Sequence, residues 1–194
     1  SRAKKPAPDR NGDAPAAERK AVVYATCFVN YNDPSMGEDA LEILARNGVQ
    51  TEVLHPLCCG MPKLEHGDID GVADAARKVA RDFKPWIENG YDVVALTPSC
   101  SLMLKFEWPL ILPDDKDVRL LSESTRDISE YVVDIAKNEG LADGLSALGG
   151  SVTVHLACHS RAQNMGQKAA ELLRLIPDAD VEVIERCSGH GGSW

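Results

Sequence analysis

Val22-Val23-Tyr24-Ala25-Thr26-Cys27 is a short apolar run that ends in a cysteine, and Val152-Thr153-Val154-His155-Leu156-Ala157-Cys158 repeats that form further along the chain. Each run is short enough to be a buried parallel strand. The next cysteine lies 31 residues after Cys27, at Cys58, and 29 residues after Cys158, at Cys187. Both sit in a C-x-Gly turn, Cys58-Cys59-Gly60 and Cys187-Ser188-Gly189, so the two stretches are offset by 131 and 129 residues. This predicts an internal duplication of one strand and turn unit.

Working outward, further strand candidates are Thr51 to His55, Asp92 to Thr97, Val118 to Leu121 and Val181 to Ile184. Amphipathic segments at helical period alternate with them. Ser35 and Glu38 read as a capping box, with a stop at Asn47-Gly48. Ile69 to Glu88 carries Ile69, Val72, Ala76, Val79 and Phe83 on one face and ends at Asn89-Gly90. A third helix is expected from about Thr125 to Asn138. A fourth opens with Ser160 and Gln163 and buries Met165, Ala169, Leu172 and Ile176. Strands alternating with helices predict an α/β fold of two pseudo-symmetric halves, each a mostly parallel sheet flanked by helices.

The 194 residues carry a formal charge of -9, with 44% hydrophobic and 26% charged residues, enough for a core in one or two domains. No Lys/Arg stripe is interleaved with aromatics, which speaks against nucleic acid as the main partner. The acidic balance disfavours a basic membrane patch. The most apolar stretch, Asp92 to Pro113, is broken by Pro98, Lys105, Glu107 and Pro109 and cannot supply the ~20 apolar residues of a spanning helix. Residues 1–20 are polar and Pro/Ala-rich and are read as a flexible linker, 21–145 as the first unit, and 146–194 as the start of a second, truncated one.

Six cysteines in a chain of this size are too sparse for a disulfide scaffold and more in keeping with metal or redox chemistry. In an open parallel sheet, ligand sites form outside the carboxyl ends of the strands. Cys27, Cys100 and Cys158 each fall just past a predicted strand end, and Cys58-Cys59 follows Thr51 to His55. One edge of the sheet therefore collects them. Cys100 and Cys158 also lie at predicted helix starts, where free N–H groups favour thiolate. The doublet Cys58-Cys59 can serve one centre only if the backbone turns, which Gly60 and Pro62 provide. Adjacent thiolates enclose one tetrahedral zinc poorly but hold two irons of a multinuclear cluster readily. Cys158, His159, Cys187 and His190 alternatively form a Cys/His zinc set. His55, His66 and His155 are read as solvated or hydrogen-bonded side chains, and the Gly-rich tail as a weak phosphate cradle.

Three blocks then bear a resemblance: Cys27-Phe28-Val29-Asn30-Tyr31-Asn32-Asp33-Pro34, Cys58-Cys59-Gly60-Met61-Pro62, and Pro98-Ser99-Cys100-Ser101-Leu102-Met103-Leu104-Lys105-Phe106-Glu107-Trp108-Pro109. From Ala21 to Trp194 the chain resembles the cysteine-rich CCG-domain Fe-S oxidoreductases, as exemplified by the cysteine-rich component of anaerobic glycerol-3-phosphate dehydrogenase and, more distantly, by that of heterodisulfide reductase. The resemblance implies iron-sulfur clusters and electron passage between a flavoprotein dehydrogenase partner and a quinone or disulfide acceptor. It also implies a ferredoxin-type domain as partner, and a cytoplasmic setting, peripheral on the inner face of the membrane through partners. The family ends each unit with C-x-x-C, whereas this chain has Thr97-Pro98-Ser99-Cys100. Four thiols remain at Cys27, Cys58, Cys59 and Cys100, which suit a [4Fe-4S] cubane and not a five-thiolate cluster. Cys158 and Cys187 are left for a second centre. The competing expectations are a zinc-stabilised or metal-free module that docks a dehydrogenase, and a thiol-disulfide oxidoreductase.

Overall fold

The apolar runs pair as parallel strands, those at the centre of the larger sheet buried on both faces. In the computed structural model, which describes residues 8–187 and 189, β1 (Lys20–Tyr24), β2 (Gln50–Leu54), β3 (Asp92–Ala95) and β4 (Thr125–Asp127) form one sheet in the order β2-β1-β3-β4. Every neighbouring pair is parallel, with Lys20 opposite Gln50, Ala21 opposite Asp92 and Val93 opposite Thr125. Parallel pairing needs crossovers, and the helices supply them. Helices α1 (Cys27–Tyr31) and α2 (Pro34–Arg46) follow β1, and α3 (Met61–Glu65) and α4 (Ile69–Glu88) follow β2. After β3 come α5 (Pro98–Leu102), a π-helical turn (Met103–Glu107), α6 (Trp108–Ile111) and α7 (Lys116–Ser124), and after β4 comes α8 (Ile128–Asn138).

Successive side chains of a strand point to opposite faces, and the core divides accordingly. On one side Val22, Tyr24, Val93 and Ala95 meet Val72, Ala76, Val79 and Phe83 of α4, together with Met103, Leu104, Trp108, Val118 and Leu121. On the other, Ala21, Val23 and Val94 meet Leu44, Tyr131 and Ile135. Each fully buried Val, Leu or Phe contributes roughly 1.5–3 kcal/mol. Cys59 and Cys100 belong to the first of these layers.

The strand order places a topological switch between β1, whose connection runs to β2, and β3, whose connection runs to β4. In such sheets that is where a crevice opens at the carboxyl ends. Thr26, after β1, and Thr97, after β3, share a hydroxyl–hydroxyl hydrogen bond of 2.8 Å across this point.

The second pair, β5 (Ser151–His155) and β6 (Asp180–Ile184), is also parallel and is bridged by α9 (Cys158–Ala162) and α10 (Lys168–Leu173). Cys27 opens α1 three residues beyond β1, and Cys158 opens α9 three residues beyond β5. The N–H of Gly60 donates to Cys58 Sγ at 3.5 Å, and that of Gly189 to Cys187 Sγ at 3.4 Å. Both glycines have positive φ, 82° and 71°. The duplicated sequence pattern thus has a duplicated local geometry.

Several local expectations are corrected. Val118 to Leu121 is not a strand but part of α7, because the Asp115 carboxylate accepts from the N–H groups of Asp117 and Val118 and starts a helix that packs on α4. The strand lies at Thr125–Asp127 instead, and the helix expected from Thr125 begins at Ile128, where Asp127 and Glu130 form a capping box. Asp33, not Ser35, occupies the N-cap of α2 ahead of Pro34. Ser160 and Gln163 are not a cap either: α9 starts at Cys158, and left-handed Asn164 and Gly166 separate it from α10. Within the leader, the N–H groups of Asn11 and Ala16 donate to Ala45 and Asn47, and Arg19 grips Glu139 through two 2.9 Å bonds. Among the described residues no helix is long and apolar enough to cross a membrane.

Candidate metal centre

The switch point gathers four of the six cysteines. Thr26 caps α1 by accepting from the Val29 N–H, which sets Cys27 at the first position of that helix. Thr97 stands at the N-cap of α5 after β3 without a side-chain cap bond, and its carbonyl accepts from the Cys100 N–H at 2.9 Å. The Cys58-Cys59 turn is held from two sides. The Tyr24 hydroxyl donates to the Leu57 carbonyl at 2.6 Å, and the Trp108 indole N–H donates to the Cys59 carbonyl at 3.1 Å. Gly60, at φ 82°, reverses the chain into α3. A strand would aim Cys58 and Cys59 apart; this anchored turn does not.

The thiols are neighbours in a row, Cys27 beside Cys58, Cys58 beside Cys59 and Cys59 beside Cys100, each affecting the protonation of the next. All four are unbridged. Burial and the neighbouring Cys58 push the Cys27 thiol up to about 11. Cys58 is raised mainly by Cys59 beside it, and then by burial. Cys59 is pushed up to about 12, chiefly by the neighbouring Cys100. The same surroundings, burial first, raise the Tyr24 hydroxyl. At Cys27, Cys58 and Cys59, crowded and partly or fully buried sulfurs oppose one another's charge. Bare, Cys27, Cys58 and Cys59 keep their protons and are poor nucleophiles. A thiophilic cation would displace those protons and relieve the repulsion.

Among the described residues no group of three or more His, Cys, Asp or Glu side chains is arranged to hold a metal ion. The four cysteines are nonetheless an all-sulfur donor set, of the chemistry that iron-sulfur clusters and structural zinc sites both use.

His55, read from the sequence as an ordinary side chain, stands in the site. Its Nε2 is 3.5 Å from Cys27 Sγ, its ring stacks on Tyr24 and meets Tyr31 edge-on, and burial shifts it toward the neutral form. The signal that could have found it is the one that found the cysteines, its place at the carboxyl end of a strand. His66 instead bonds the Pro62 carbonyl, and His155 the Arg186 carbonyl.

Cys158 and Cys187 are exposed. Of the zinc set suggested for them, His190 lies outside the described residues, as does most of the Gly-rich tail. His159 bonds through one ring nitrogen, its Nδ1 2.7 Å from Ser99 Oγ. That bond is one of several that join α9 and Gln163 to α5. Gln163 donates to the Pro98 carbonyl and to Ser101 Oγ, and Ser101 donates to Asp127 at 2.9 Å. Helix α5, which carries Cys100, is thus pinned on both flanks.

Asp127 has a pH consequence. Burial raises its carboxyl above the usual range, against the opposing pull of the Ser129 N–H, Ser101 and Lys105. A carboxyl raised by folding contributes its stability below the unfolded value of about 3.9, and loses it as pH rises through the folded value. Asn can still cap α8 and does not titrate. Wild type should therefore lose stability relative to Asp127→Asn as pH rises from about 4. Urea midpoints across that range check this; a difference that moves in wild type's favour with rising pH would contradict it.

The comparisons with known proteins agree with this geometry. Residues 21–105 match the family model described as a cysteine-rich domain, CCG. Lactate utilization protein A of Bacillus pumilus (strain SAFR-032) is 28% identical over 184 residues, covering 90% of this chain and 74% of the relative. The protein of the same name from Bacillus cereus (strain G9842) is 25% identical over 185 residues, with the same coverage. The matched segment runs from β1 through the π-helical turn and contains the whole thiol row, Cys27, Cys58, Cys59 and Cys100. Over residues 21–105 the chain is thus similar to the CCG cysteine-rich domain, and along most of its length to the lactate utilization A proteins.

Proposed function

We propose that the chain is an iron-sulfur electron-transfer protein in which Cys27, Cys58, Cys59 and Cys100 hold a [4Fe-4S] cluster. The observation that carries this reading is the unbroken row of four thiols from three separate loops at the switch point. The bound cluster would supply one-electron storage. The chain's own part is to hold four sulfurs, keep water from Cys59 and Cys100, and present N–H groups such as that of Gly60 to the sulfurs. Such donors and burial set the potential of a cluster.

In this reading 21–145 is the first CCG unit and the segment from 146 on begins a second, whose Cys158 and Cys187 contribute to another centre. The relatives' name supports a donor that is a dehydrogenase partner acting in lactate use. The acceptor is a quinone or a disulfide, reached from the inner face of the membrane through partner proteins. A thiol-disulfide oxidoreductase is disfavoured by thiols raised in pKa, since such chemistry needs an accessible thiolate. The reading is tested by redox titration of anaerobically prepared protein followed by electron paramagnetic resonance. A reversible one-electron signal is expected, and its absence from iron-loaded protein would contradict the proposal.

A further inference from the structure

We propose that His55 donates a hydrogen bond from Nε2–H to the sulfur of Cys27 and so raises the reduction potential of the centre that Cys27 helps to hold. The inference rests on the reading of Cys27 as a cluster ligand. Its basis is geometric. The His55 ring directly follows β2 and is fixed by two aromatic neighbours, lying nearly parallel to Tyr24 (13°, centroids 6.2 Å apart) and edge-on to Tyr31 (83°, 6.1 Å). In that setting Nε2 points at Cys27 Sγ from 3.5 Å, an ordinary length for a hydrogen bond to sulfur. A metal-bound thiolate only accepts, so the nitrogen that faces it must carry the proton, which selects the Nε2–H tautomer.

The row offers a contrast. Cys58 takes its hydrogen bond from the Gly60 backbone N–H, which no side-chain substitution removes. Cys27 takes one from a side chain, and this makes its donor the adjustable one. A donor to a ligand sulfur stabilises the extra negative charge of the reduced state more than the oxidised state, and therefore favours uptake of the electron.

The experiment compares wild type with His55→Phe, which keeps an aromatic ring against Tyr24 and Tyr31 but has no N–H, and His55→Gln, which keeps a donor. All three are prepared anaerobically as the full chain, assayed for iron and acid-labile sulfide, and titrated with dithionite. His55→Phe is expected to retain iron and sulfide and to bind the electron about tenfold more weakly, a fall of about 59 mV for a one-electron couple. His55→Gln should stay within about threefold of wild type. Iron-loaded His55→Phe at the wild-type potential would overturn the inference and leave the cluster reading intact. Loss of iron from both variants in folded protein would make His55 a ligand and equally overturn it. Wild type lacking iron and sulfide would instead sink the cluster reading, before any variant is compared. If His55→Phe does not fold, His55→Leu is titrated in its place, with the same two outcomes.

Discussion

Cys59→Ser should strip the first unit of its iron, by at least about tenfold, while leaving the polypeptide folded. Cys59 is 3% exposed and sits in the middle of the row, beside Cys58 on one side and Cys100 on the other. Serine has nearly the same size, so α3, Trp108 and Val72 around it need not move. Its hydroxyl, however, is a hard and weakly acidic donor where a soft thiolate is required. The protein as a whole should lose no more than about 1–2 kcal/mol from the exchange of one buried polar hydrogen for another. Cys187→Ser is the matched comparison, because Cys187 is exposed. It should leave the first unit's iron at the wild-type level. Iron and sulfide assays with circular dichroism decide the matter. Cys59→Ser with undiminished iron would remove the row from the mechanism.

Trp108→Ala should be the most damaging single change to the fold, costing about 3–5 kcal/mol. Trp108 is fully buried and fills the layer between α4, α7 and the sheet. Its indole N–H also satisfies the Cys59 carbonyl, so truncation leaves both a cavity and an orphaned buried acceptor. Against a typical total of about 5–15 kcal/mol, that is a large share. Trp108→Phe fills most of the volume but lacks the donor, and should cost about 1–3 kcal/mol. Urea unfolding of the three proteins measures both steps. Equal stability of wild type and Trp108→Ala would contradict the packing described here. The pair of variants also separates filling the core from anchoring the cysteine turn, since only the N–H is common to both losses.

Much of this was legible in the chain itself. Five of the six predicted strands are present: β1 and β3 are buried on both faces and read as continuous apolar runs, whereas β2, β5 and β6 mix apolar and polar residues, with one face more exposed. The helix Ile69–Glu88 was equally plain, with a long stripe at helical period and an Asn-Gly stop. What misled was local chemistry with two readings. Val118 and Leu121 are three apart and suit either a short strand or one helix face, and the Asp115 side chain decides between them. Asp127 and Glu130 carry a capping box that was less conspicuous than Ser160 and Gln163, yet only the former is real. Gln163 has other work, tying α9 to Pro98 and Ser101, and no local pattern reveals a partner so distant along the chain.

At the site, the four cysteines could be grouped because strand ends in a parallel sheet share one rim. Their order along the row could not be read, since it depends on how far the Gly60 turn rotates the doublet. The same holds for the raised thiols of Cys27, Cys58 and Cys59, whose burial and mutual crowding exist only once their loops are packed together beside Tyr24. His55 was missed because a lone histidine carries no spacing signal. Its role comes from a stack with Tyr24 and Tyr31 that exists only once β1 and β2 are side by side.

The most direct measurement is the iron and acid-labile sulfide content of the wild-type chain, expressed and purified without oxygen. Close to stoichiometric iron matched by sulfide, held by Cys27, Cys58, Cys59 and Cys100, is the result this account predicts. A folded, colourless chain that carries zinc alone, or no metal, under those conditions would contradict it.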